Sequence, residues 1–277
     1  MSADGDGEPP LIPDGLDASL VLVRHGESEY IVEGRFQGQA ETPLSATGLR
    51  QAALVAERLA HPHDAPALPL PEGPLRELVH SPLRRTTQTA EAVVAAVSPP
   101  PVARPESGFL EIGQGEWEGL HRDDIGARFG ETLAAWRRSP TTAWAPGGES
   151  LAQVAARVRP ALTGVLARLA DGGVPGTLDR DHVAGYGPRA GETVPDDVPW
   201  SIVVAHDGVF KISLLTLFDL PLERFWMWTM DLAAITVVEF RAGRAVLRAH
   251  NLTGHLATLL DEAAQEAQER RSRSGAL

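Results

Sequence analysis

Two short apolar runs, far apart in the chain, each end in a histidine, and together they restrict the fold more than any other feature. Ser19-Leu20-Val21-Leu22-Val23 leads into Arg24-His25-Gly26, and Ser201-Ile202-Val203-Val204-Ala205 leads into His206-Asp207-Gly208. Runs this short and this uniformly apolar suit strands covered on both faces, as in a parallel sheet between helical layers. Ligands of open parallel sheets bind beyond the carboxyl ends of the strands. Both histidines are therefore expected at one crevice.

The sequence between them supplies helices. Leu49, Ala52, Ala53, Ala56 and Leu59 recur at helical spacing, which predicts a helix over about 47–59. After a Pro-rich linker, Glu77–His80 reads as a strand. Ser81-Pro82 then takes the N-cap and N1 positions of a helix that Pro99-Pro100-Pro101 stops. Residues 109–148 read as irregular to helical. An amphipathic helix spans about 150–170, with Pro160 expected to kink or split it. A hairpin is expected around Ala242-Gly243. Strands alternating with helices give an α/β fold, a three-layer α/β/α sandwich with a mostly parallel central sheet. The expected organisation is a flexible N-terminal arm (1–18), a single domain (19–260) and a polar C-terminal tail (261–277). A Gly-, Pro- and Asp-rich loop insertion falls at about 171–199.

Composition removes several functions. With no cysteine among 277 residues, a disulfide framework, a cysteine-ligated zinc site and a cysteine nucleophile are excluded. The net charge of −12 comes without a basic stripe, so no nucleic-acid partner is expected. The only basic cluster, Arg270, Arg271 and Arg273, reads as a solvated helix end. No run reaches membrane-spanning length and the N-terminus lacks signal-peptide character. A soluble, cytoplasmic protein without a membrane partner is expected. The apolar stretch Ile212–Met230 suits the core or a homodimer interface equally.

The strand-end residues suit phosphate chemistry. Arginine offers a planar fork that binds phosphate bidentately, and Arg24 and Arg85 flank the expected crevice. Neighbouring arginines favour a neutral imidazole, the form in which histidine is a nucleophile. His61-Pro62-His63 has no further ligands nearby and reads as a loop rather than a metal site. Trp226 and Trp228, with Phe225 and Met227, read as packing before pocket lining, and Trp136 and Trp144 as either. His80, His121, His250 and His255 read as structural or exposed.

Five blocks in order then carry a resemblance. They are Val23-Arg24-His25-Gly26-Glu27-Ser28 with Arg35-Phe36-Gln37-Gly38 and Pro43–Gly48, then Ser81-Pro82-Leu83-Arg84-Arg85-Thr86-Thr87-Gln88-Thr89-Ala90, and Leu110-Glu111 with Gly115–Gly119. Pro146-Gly147-Gly148-Glu149-Ser150 and Val204-Ala205-His206-Asp207-Gly208-Val209 follow. Over about residues 19–250 the chain resembles the histidine phosphatase superfamily, in its phosphoglycerate mutase-like branch. The resemblance implies that fold, with His25 as the nucleophile that takes the phosphoryl group. Arg24, Arg85 and His206 would hold the phosphate oxygens, and Glu111 would be the proton donor to the leaving alcohol. Ser28, Gln37, Gly38 and Asp207 would lie among the substrate-binding residues, with Gln37 and Gly38 near the phosphate. It implies no metal and no cofactor. Two departures stand out: Ile31 where the family usually has Asn, and Asp207 between His206 and Gly208.

The expected function is metal-independent hydrolysis of a small phosphorylated metabolite. A phosphoglycerate mutase would retain its phosphohistidine from water. Its family members carry a longer, more basic segment where this chain has Leu120–Pro146, with Arg122, Arg128, Arg137 and Arg138 as the Lys or Arg residues. A non-catalytic binding module is the third reading.

Overall fold

The computed structural model describes residues 10–171, 197–259 and 262. Its centre is a six-stranded sheet, in the order β3-β2-β4-β1-β5-β6. The strands are β1 (Ala18–Arg24), β2 (Leu75–His80), β3 (Val102–Pro105), β4 (Trp200–Ala205), β5 (Ile235–Arg241) and β6 (Arg244–Leu252). β1, β2, β3 and β4 run parallel, and β5 and β6 are antiparallel additions at one edge.

Period-two alternation divides the central strands between two cores. Leu20, Leu22, Val79, Val203 and Ala205 face one core, packed under α5 (Leu151–Asp171) and α6 (Asp207–Leu217). Val21, Val23, Leu78, Ile202 and Val204 face the other, under α2 (Ala46–Ala60) and α3 (Arg84–Ala96). The result is the expected three-layer sandwich. The stretch Ile212–Met230 contributes Ile212, Leu214, Leu215, Leu217, Phe225 and Met230 to the first core.

Local signals set the helix starts. Ser45 caps α2 by accepting from the Gly48 N–H at 3.0 Å. Ser28 caps the short α1 (Glu29–Val32) by accepting from Ile31. Ser150 and Gln153 form a reciprocal capping pair at the start of α5, Gln153 N–H to Ser150 Oγ and Ser150 N–H to Gln153 Oε1.

Three expectations are corrected. α3 begins at Arg84 with Leu83 as its cap residue, so Ser81 and Pro82 are not its N-cap and N1. α5 is not split at Pro160 but runs unbroken through it; eight buried side chains along it outweigh one missing hydrogen bond. The non-helical backbone lies instead at Phe129, within α4 (Arg122–Arg138). The N-terminal arm does not extend to residue 18: Leu16, Asp17 and Ala18 are buried, and Asp17 Oδ1 accepts from Ala242 N–H at 2.7 Å. Strand β3, exposed throughout and short, carried no periodic signal and was not anticipated. The loop insertion falls almost wholly outside the described residues, as does the tail apart from Glu262. Among the described residues no helix is long and apolar enough to cross a membrane.

Candidate active site

The parallel register sets three strand ends level. Arg24 pairs with Ala205 across β1 and β4, and His80 pairs with Val204 across β2 and β4. His25 N–H then donates to Ala205 O and Ser81 N–H to Val204 O. His25, His206 and Ser81 thus emerge side by side, and the two imidazoles lie 5.1 Å apart, edge to face.

One nitrogen of each ring has a protein partner. His25 Nδ1 lies 2.6 Å from Gly26 O, and a carbonyl only accepts, so Nδ1 carries the proton and Nε2 keeps its lone pair. His206 Nε2 lies 2.8 Å from the Ser81 hydroxyl, while its buried Nδ1 has no protein partner among the described residues. In the tautomer where Ser81 donates to Nε2, Nδ1 carries the proton and is free to donate to a ligand. Both rings are held well below the ordinary histidine value, first by burial and then by neighbouring charge, from Arg85 above all. Burial thus does more to keep them neutral than the arginines do.

Arg85 is a buried cation and Arg24 a partly buried one, and among the described residues neither makes a carboxylate contact. Arg85, on the first turn of α3, donates to Gly38 O at 2.8 Å and Ala40 O at 2.9 Å; Arg24 donates to Met230 O. Among the described residues neither forms an ion pair, and the Nε of each is buried without a partner. Burial lowers the Arg85 pKa to about 10, so it remains charged at neutral pH. An anion with several acceptor oxygens satisfies this arrangement.

Glu111 closes the other side. Its Oε1 accepts from Ile112 N–H at 2.8 Å and its Oε2 from Gly208 N–H at 3.3 Å, at the start of α6. Burial raises its pKa most, and the nearby Asp207 adds to the rise. The two backbone donors and the Arg85 charge oppose it. A carboxyl biased towards its protonated form beside an anion site can serve as a general acid.

The remaining anticipated residues divide. Gln37 Oε1 accepts from Ser28 Oγ at 2.6 Å and Thr42 Oγ1 at 2.8 Å, which leaves its Nε2 to donate. Ser28 is fully buried and engaged with Gln37 and the first turn of α1, so it orients Gln37 from behind. Gly38 has φ +50°, and a Cβ there would lie 2.1 Å from Glu118 Oε1; its carbonyl steadies Arg85. Asp207 meets Lys211 Nζ at 2.7 Å, so its carboxylate is paired within the first turns of α6. Trp136 packs against Trp117, Phe225 and Trp226, and Trp228 against His250. Sequence reasoning missed Ser81 as the partner of His206, because the Ser-Pro pair reads as a helix start. It also missed Gln39 and Arg157, which no spacing marks.

Fold and cluster together define a class: an α/β protein with a buried anion site made of paired histidines, unpaired arginines and an acid at the strand ends. Comparison with known proteins identifies the class. The chain belongs to the histidine phosphatase superfamily (branch 1), whose model matches residues 20–174 and 190–253. It is 29% identical over 244 residues to phosphoserine phosphatase 1 of Hydrogenobacter thermophilus, covering 88% of this chain and 97% of that protein. It is 33% identical over 207 residues to glucosyl-3-phosphoglycerate phosphatase of Mycobacterium tuberculosis, covering 74% and 78%. A solved mycobacterial glucosyl-3-phosphoglycerate phosphatase in complex with VO3 superposes with a TM-score of 0.65 at 29% identity, covering 85% of this chain and 99% of that one.

Proposed function

We propose that the chain, with residues 19–260 as one catalytic domain, hydrolyses monoesters of small phosphorylated metabolites through a phosphohistidine on His25. The observation that carries this reading is His25, its Nδ1 against Gly26 O and its Nε2 left free, beside the buried Arg85 and the partly buried Arg24, neither with a carboxylate contact among the described residues. His25 Nε2 attacks phosphorus as the bond to the leaving oxygen breaks. Glu111 gives its proton to that oxygen. Arg24, Arg85 and His206 Nδ1–H hold the phosphoryl oxygens, where the two guanidinium charges and the imidazole N–H dipole stabilise the transition state. Glu111 then takes a proton from water, whose oxygen attacks phosphorus. The P–N bond breaks and its electron pair returns to Nε2. The relatives named for phosphatase activity support this reading, and their named substrates, phosphoserine and glucosyl-3-phosphoglycerate, define the class of small anionic phosphomonoesters to screen.

The test is nitrophenyl phosphate hydrolysis in EDTA, wild type against His25→Ala, with acid-quench trapping of the phosphoenzyme. Activity that survives EDTA, with a trapped histidine adduct absent from the variant, is expected. Unchanged turnover in His25→Ala would overturn the assignment. A trapped adduct discharged only to a phosphoglycerate acceptor would make the protein a mutase.

A further inference from the structure

The segment Gly108–Gly113, which carries Glu111, is irregular apart from a short 3-10 turn at Ser107–Phe109. A loop of that kind does not by itself hold a carboxyl within the tolerance proton transfer requires. One side chain of α5 holds it in place. Arg157 NH1 donates to Gly108 O at 3.0 Å and Leu110 O at 2.7 Å, and NH2 donates to Glu111 O at 2.9 Å. The remaining donors engage Glu149: Nε to Oε1 at 2.9 Å and NH2 to Oε2 at 2.8 Å. All five N–H groups of the guanidinium are thereby used inside the protein. A group so saturated has no donor left for substrate.

Glu149 extends the clamp to both ends of the loop. Its Oε2 also accepts from Gly113 N–H at 2.7 Å and from Gln39 Nε2 at 3.1 Å. Gln39 Nε2 lies 3.0 Å from Glu111 O as well, so that carbonyl receives two donors from different segments. The backbone closes the bracket, with Glu149 N–H donating to Gly113 O at 2.8 Å. Burial alone would raise the Glu149 carboxyl, yet Arg157, the Gly113 N–H and Gln39 outweigh it and hold it below the ordinary value. It stays ionised and the clamp stays paired.

From these contacts we infer that Arg157, Glu149 and Gln39 are positioning residues for the acid: they fix the loop so that the Glu111 carboxyl stands where the leaving oxygen departs. This rests on the assignment of Glu111 as the proton donor. Misplacing the acid slows esters in proportion to how much their leaving group needs a proton, and leaves the phosphate grip of Arg24, Arg85 and His206 intact.

The experiment is a leaving-group series from nitrophenyl to alkyl phosphates on the full chain, with inhibition by inorganic phosphate measured in parallel. A positioned acid contributes about 10²–10⁴-fold, so Glu149→Gln is expected to lose about tenfold or more in alkyl ester kcat. Nitrophenyl turnover and phosphate inhibition should stay within about twofold in the same variant. Gln39→Ala, which removes one donor to Glu111 O and leaves the ion pair, should move the same way by less, and it carries the test if Glu149→Gln fails to fold. Arg157→Lys, with three donors for five positions, should restore nothing. An equal loss across the series, or weakened phosphate inhibition, would overturn the inference. Glu111→Gln separates the two claims. If it fails to steepen the series, the acid assignment falls; if it steepens the series while Glu149→Gln and Gln39→Ala do not, only the clamp falls.

Discussion

The proposed attack by His25 needs a free Nε2 lone pair, which burial favours more than neighbouring charge does. That has a consequence for stability. The folded pKa values of His25 and His206 lie below 6.5, the value of the unfolded chain, so the unfolded state binds protons more readily. The stability that depends on the neutral pair is complete above about pH 6.5 and is lost as the pH falls from there towards the folded values. In urea unfolding, the wild type should lose more stability between about pH 7 and pH 5 than His25→Ala does; equal slopes would sink this account. Glu111 runs the other way in catalysis. Its raised pKa keeps the acid form to higher pH, and that form disappears as the pH rises through it. The ratio of alkyl to nitrophenyl kcat/KM should therefore fall with rising pH in the wild type and stay flat in Glu111→Gln. A flat wild-type ratio would remove the acid role.

At the scale of elements, the site depends on how closely the loop carrying Glu111 meets the first turn of α6. A Cβ on Gly208 would lie 2.6 Å from Glu111 Oε1 and 2.6 Å from Ile112 Cδ1, so nothing larger than glycine fits without displacing the acid. Gly208→Ala should cost about 1–3 kcal/mol of stability through overpacking. It should also slow alkyl esters more than nitrophenyl phosphate. Wild-type melting and an unchanged leaving-group series would show that the loop yields freely. The same scale shows where sequence patterns stop. The helix expected over 47–59 appears as Ala46–Ala60, because an apolar stripe and a serine cap are local signals. The start of α3 was misplaced because Ser81 meets His206, 125 residues away, and no local pattern encodes that partner.

For the whole molecule, the proposed grip of Arg24 and Arg85 on phosphate would make that anion a ligand of the folded state. A ligand that binds only the folded state stabilises by about 2.7 kcal/mol at 100 times its Kd. Inorganic phosphate should raise the melting temperature of the wild type, and the increment should vanish in Arg85→Ala, whatever that variant's own starting point. An increment surviving in Arg85→Ala would place phosphate elsewhere. Ionic strength matched with chloride controls for screening.

The sequence by itself determined the parallel α/β sandwich and the level strand ends that bring His25 and His206 together. Strand alternation, helical periodicity and buried-strand composition all act within a few residues, so a chain displays them directly. Arg85 was legible as an arginine just past a third strand end, whereas Glu111 was legible only through the five ordered blocks. The tertiary structure alone decided that Ser81 meets His206, that Leu16 and Ala18 join the core, and that Arg157 and Gln39 reach across to the Glu111 loop. These are contacts between segments tens of residues apart, fixed by which side chains can satisfy buried donors and acceptors once the layers have packed.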